Sequence, residues 1–109
     1  MTEYVFIESR DPFESRDTRF VEETAIALKQ RDHEVTVFLL QNGVLAARGT
    51  ARRSHLLELA REGVRLLADD FSLAERGIQE SELLPGIQRA SIDSLVDALA
   101  RENAKVIWH

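Results

Sequence analysis

Gly63-Val64-Arg65-Leu66-Leu67-Ala68-Asp69-Asp70-Phe71-Ser72-Leu73-Ala74-Glu75-Arg76-Gly77-Ile78 is the stretch whose reading decides the fold. A glycine precedes a short apolar run, Val64 to Ala68, which reads as a strand; a polar pair ends it, and a short helix follows. Ser72 and Glu75 have the spacing of a capping box for that helix, with Asp69 or Asp70 as the alternative cap and Gly77 as its stop. A buried strand running straight into a helix is the unit from which parallel sheets are built.

The same unit recurs on both sides. Tyr4-Val5-Phe6-Ile7 and Val35-Thr36-Val37-Phe38-Leu39-Leu40 are near-continuous apolar runs rich in β-branched and aromatic residues, as in strands buried on both faces. Between them, Asp17 or Thr18 can cap a helix that places Phe20, Val21, Ala25 and Leu28 on one side. Asn42-Gly43 signals a turn after the second strand, and Leu45 to Arg48 a short helical turn. A further helix is expected from Arg53 to Glu62, stopped by Gly63. Ile87 to Ala90 reads as a fourth strand after the Pro85-Gly86 turn. Ser91 then caps a helix with Ile92, Leu95, Val96 and Leu99 at i, i+3, i+4 and i+7, and Lys105 to Trp108 is the last strand. The pattern predicts an α/β fold: one domain spanning residues 1–109, a three-layer α/β/α sandwich around a mainly parallel sheet of four or five strands. Right-handed crossovers are expected to put alternate helices on opposite faces.

Nineteen acids against fourteen Lys and Arg give a formal charge of −5, which argues against nucleic acid as a partner. No apolar run approaches the roughly 20 residues that span a bilayer, and the first residues carry no targeting pattern, so a cytoplasmic location is expected. The chain has no cysteine. Disulfides, thiolate metal sites and thiol catalysis are thereby excluded.

Loops leaving the carboxyl ends of the first three strands hold Arg10, Asp11, Ser15, Asn42, Gly43, Asp69 and Asp70. In an open α/β sheet such ends form the ligand site. Any small ligand is therefore expected against Arg10, Ser15, Asn42, Gly43, Asp69 and Asp70, with Arg10 and the Asn42-Gly43 backbone suited to an anion; the alternative is a pocket that holds only water. The mixed charge suits a neutral or zwitterionic molecule, or a cation-bridged anion, better than a bare phosphate. Asp69 and Asp70 are also the candidates for carboxylate catalysis, as a general base or one metal ligand; the plainer reading makes one of them a helix cap. His33, His55 and His109 fit no triad or metal spacing, and no phosphate loop or nucleophile elbow is present. No metal or cofactor is expected.

The quoted segment resembles the DsrE/DsrF-like sulfur-relay family, in which the residue ending this strand is a cysteine that carries a persulfide. Further similar pieces are Phe20 to Leu28 followed by Arg31-Asp32-His33-Glu34-Val35-Thr36-Val37-Phe38, Asn42-Gly43-Val44, Ala90-Ser91-Ile92-Asp93-Ser94-Leu95-Val96 and Lys105-Val106-Ile107-Trp108. The chain departs from the family pattern at Asp69 in place of the cysteine, Asp32 in place of a glycine, and Asn42 in place of an acid. The resemblance implies the DsrE-like fold and assembly into a homo-oligomer, a dimer or trimer, or into a hetero-oligomer with related chains. Leu83-Leu84-Pro85, apolar in a polar connection, is the candidate contact. A carboxylate can neither accept nor donate sulfane sulfur, so the reading is a non-catalytic subunit or small-ligand module. The alternative is an enzyme working through Asp69 or Asp70.

Overall fold

A computed structural model describes residues 2–11, 18–49 and 55–109. Five parallel strands, β1 (Glu3–Glu8), β2 (Glu34–Leu39), β3 (Arg65–Asp69), β4 (Ile87–Ala90) and β5 (Ala104–Trp108), form one sheet in the order β4-β3-β2-β1-β5. In-register pairs such as Phe6 with Val37 and Val37 with Leu66 align the apolar runs, so the central strands β1, β2 and β3 are largely dry on both sides, while the edge strands β4 and β5 keep exposed residues.

The helices do not alternate between faces. From β1 to β4 the chain steps along the sheet in one direction, and right-handed crossovers in one direction all lie on one side. That first face packs Phe6, Val37, Leu39, Leu66 and Ile87 against Val21 and Ala25 of α1 (Thr18–Gln30), Leu56 and Leu59 of α2 (Leu56–Arg61), and Leu73 of α3 (Asp70–Glu75). Only the last crossover reverses direction, from β4 at one edge to β5 at the other. It carries α4 (Ile92–Ala100) alone across the second face, where Leu95 and Ala98 rest on Val5, Ile7, Phe38 and Leu67. Arg101, just beyond α4, grips the Glu3 carboxylate at 2.6 and 3.0 Å and fixes that end of the helix to β1.

Three helices end in the same device. After α2, Gly63 N–H donates to Ala60 and Val64 N–H to Leu59; after α3, Gly77 and Ile78 do the same to Ala74 and Leu73. Both glycines have positive φ, as this paired stop requires. After α1 the pattern repeats with Asp32 at φ 64, its N–H on Lys29 and that of His33 on Leu28. An aspartate thus occupies the glycine position.

Several expectations are corrected. Asn42-Gly43 is not a free turn but lies within a 3-10 helix, Gln41–Ala47. Gly43 is buried against β1: a Cβ there would stand 2.1 Å from the Glu8 carbonyl oxygen, so side-chain space rather than turn geometry demands glycine. Phe20 leaves the α1 stripe because one residue rotates a helix by about 100°, and it is exposed. Leu84 is buried and Leu83 packs on the first-face core, so these leucines cover their own domain. His33 is half-buried, its ring edge-on to Tyr4. Asp17 and the expected start of the second helix at Arg53 lie outside the described residues.

Candidate functional site

After β3 the chain turns to the first face, and after β4 to the second. Where neighbouring strands send their continuations to opposite sides, a crevice opens at their carboxyl ends, the usual ligand position of an open α/β sheet. A cavity of about 470 Å³ lies there, walled mainly by apolar surface. Leu40, Phe71 and Ile92 supply the apolar surface, and Asp69, Asp70 and Ser72 the polar groups. Its size falls within the range that holds small molecules.

Asp69, the last residue of β3, is extended and caps α3. One carboxylate oxygen accepts from Ser72 N–H at 2.9 Å and from Ser72 Oγ at 2.7 Å. Ser72 therefore receives the cap, and the Ser72/Glu75 capping box does not form. Ser72 Oγ in turn accepts from Gln41 N–H at 2.8 Å, tying α3 to the 3-10 helix. Asp69 and Ser72 are both buried. The Oδ2 of Asp69 is thus committed to the cap. Asp70 differs. Its Oδ1 is shielded from water and has no hydrogen bond, and Arg89 Nε, 4.0 Å away, is too distant to supply one. Asp70 therefore carries a carboxylate oxygen held near Arg89 without a hydrogen bond, and Gln41, Glu75 and Ser91 add further polar groups to the crevice wall.

The other candidate residues are not brought to this crevice. Asn42 is exposed and accepts from Arg76 Nε and Nη2 at 3.2 and 3.0 Å. Gly43 N–H is spent on Leu40, so the Asn42-Gly43 backbone is no anion cradle. Arg10 and Gly43 line a separate, much smaller cavity under α1 on the first face, which holds about one water. Ser15 lies outside the described residues. The two groups line different cavities. Among the described residues no cluster of three or more His, Asp or Glu side chains could hold a metal ion, and no helix is long and apolar enough to cross a membrane.

One polar pair escaped the sequence reading. Glu8, buried at the end of β1, meets His109 Nδ1 at 2.9 and 3.1 Å and also accepts Arg10 N–H at 3.0 Å. Burial pushes the Glu8 carboxyl above its ordinary 4.5, against the lowering pull of the Arg10 N–H and His109. The partners lie 101 residues apart, and only the β1–β5 pairing joins them. No local pattern could signal it.

The DsrE/DsrF-like family profile matches residues 2–108. The YchN protein of E. coli superposes with a TM-score of 0.85 at 22% identity, each chain covered in full. A Methanobacterium thermoautotrophicum protein of unknown function, MTH1491, gives 0.82 at 24% identity, again over the whole of both chains. No functionally curated protein matches the chain.

Proposed function

The chain belongs to the DsrE/DsrF-like family, and from that premise we propose that it is a non-catalytic member: a small-ligand-binding module that works as a subunit of a homo-oligomer, or of a hetero-oligomer with related chains, without sulfur transfer of its own. The observation that carries this reading is the β3–β4 crevice. It lies where the chain's path divides between the two faces, and the residue that closes its strand is Asp69, buried and engaged as a cap. No thiol is present to form a persulfide. The apolar wall and the acidic side chains of Asp70 and Glu75 in the lining suit a small molecule with an apolar body and a hydrogen-bond-donating end, such as an amine or a zwitterion.

A second reading, carboxylate catalysis at Asp69 or Asp70, favours Asp70, since Asp69 holds the α3 cap through Oδ2 and Asp70 makes no side-chain hydrogen bond at Oδ1. Amide chemical shifts recorded while small aliphatic and aromatic amines and amino acids are titrated in test the module reading. Shifts grouped on Phe71, Ser72, Ser91 and Ile92 are expected, weakened in Asp70→Asn. Shifts at the amino ends of the strands, near Glu34 or Lys105, refute the placement. Treatment with a persulfide donor should leave the intact mass unchanged; gain of the mass of one sulfur atom sinks the non-catalytic reading.

A further inference from the structure

The most amphipathic helix of the sequence hides the wrong residues. Of α4's apolar side chains only Leu95 and Ala98 are buried in the second face, while Ile92, Val96 and Leu99, at i, i+4 and i+7, are 47%, 55% and 54% exposed. The stripe has company on that side of the sheet. Trp108 pairs with Ile7 in the β1–β5 register, so its indole projects from the second face, and it is 62% exposed. At the carboxyl ends of the strands Phe71, 69% exposed in the first turn of α3, stands with Ile92 in the wall of the crevice and extends the stripe there. Among the described residues the three helices of the first face expose one large apolar side chain each, Phe20, Leu57 and Phe71, rather than a stripe. The second face has one helix of nine residues.

We propose that a second copy of this chain docks on the α4 stripe and Trp108. The inference rests on the self-association part of the reading above and assigns the surface. At these exposures the five side chains leave roughly 500 Å² of apolar surface on one side of a small protein, at the upper end of what a monomer shows to water. Two copies together bring roughly 1,000 Å², which with a polar rim reaches the 1,200–2,000 Å² of a stable interface. The helix is preformed and clamped by Arg101 on Glu3, so docking orders little new structure. Every copy carries the same stripe, and two of them bury it without any other sequence. Because Ile92 and Phe71 belong to both surfaces, the docked copy closes the open side of the crevice.

Charge distinguishes this occupant from another protein. Each copy carries −5, and exposed Asp93 and Asp97 flank the stripe. Added salt therefore tightens self-association by screening like charges, whereas it weakens docking of a basic partner.

The experiment compares the full chain with Val96→Glu/Leu99→Glu by light scattering across micromolar concentrations, at low and moderate salt. Iodide quenching of Trp108, the single tryptophan, gives a parallel readout. The parent chain is expected to give more than one chain's mass, more so with salt, with a tryptophan that dilution uncovers. The double variant, changed at exposed positions only, is expected to be a single-chain species with an unchanged helical signal and a quenchable tryptophan. A parent chain that is monomeric throughout overturns both self-association and this surface. A parent that assembles while the double variant assembles equally overturns the surface alone. If the variant fails to fold, quenching in the parent decides: a Trp108 as accessible in the assembly as at high dilution refutes the proposal.

Discussion

Replacing Asp69 by alanine removes two buried hydrogen bonds with one atom. The first is the helix cap on Ser72 N–H, worth about 1 kcal/mol when a capping side chain is lost to alanine. The second is the acceptor of Ser72 Oγ–H; an unpaired buried hydroxyl costs about 1–3 kcal/mol. Asp69→Ala should therefore lower unfolding stability by about 2–4 kcal/mol. Asparagine keeps one side-chain oxygen at the same place, caps as well, and can accept both bonds, so Asp69→Asn should lose less than about 1 kcal/mol. Ser72→Ala in a double-mutant cycle with Asp69→Ala isolates the shared hydroxyl contact, and a coupling of about 1–2 kcal/mol is expected. Urea unfolding followed by far-ultraviolet circular dichroism measures the parent and all four variants. If Asp69→Asn destabilises as much as Asp69→Ala, the negative charge rather than the cap is what position 69 supplies, and the structural assignment fails. The same result would revive the reading of Asp69 as a working carboxylate.

Asp32 occupies a left-handed position that favours glycine, so Asp32→Gly should stabilise the chain by about 0.5 kcal/mol after allowing for the freer unfolded state, seen as a rise of a few degrees in melting temperature; a fall contradicts the helix-stop assignment. Gly43→Ala forces a carbon against the Glu8 carbonyl and should cost about 3 kcal/mol, because backbone must move; a calorimetric scan showing parent-like melting refutes the close approach. Glu8 has a raised carboxyl pKa, so the folded chain holds its proton more tightly than the unfolded chain, and ionised Glu8 costs stability at neutral pH. That cost fades as pH falls through the raised value towards 4.5. Glutamine still accepts from Arg10 N–H and from His109, so Glu8→Gln should gain stability relative to the parent near pH 7 and lose that advantage in acid. A gain that grows on acidification would reverse the sign of the argument.

The local elements were written in the chain. Continuous β-branched runs gave strands that only a covered parallel sheet can bury, and Gly63 and Gly77 stood where the left-handed stops of α2 and α3 later appeared. These are decisions of a few neighbouring residues, fixed by backbone sterics and side-chain period. The strand order was not among them, and with it went the placement of the helices: a crossover's side depends on the direction in which the next strand lies. The candidate residues at the strand ends were gathered as one set, yet Arg10 and Gly43 line one cavity and Asp69 and Asp70 another. Sequence could nominate both Asp69 and Asp70; only packing showed that Ser72 engages one and leaves an oxygen of the other unpartnered.

The sequence by itself determined the α/β class, the family, and the absence of a thiol, because each is carried by residue identity or by periodicity over a few residues. The tertiary structure alone decided that α4 shows its stripe outward, that Leu84 turns into the core, and that Glu8 meets His109 across the β1–β5 pairing. Period tells which residues share a side of a helix. Which side faces the sheet is settled by the whole set of contacts made when the helix is laid down, and these come from residues far away in the chain.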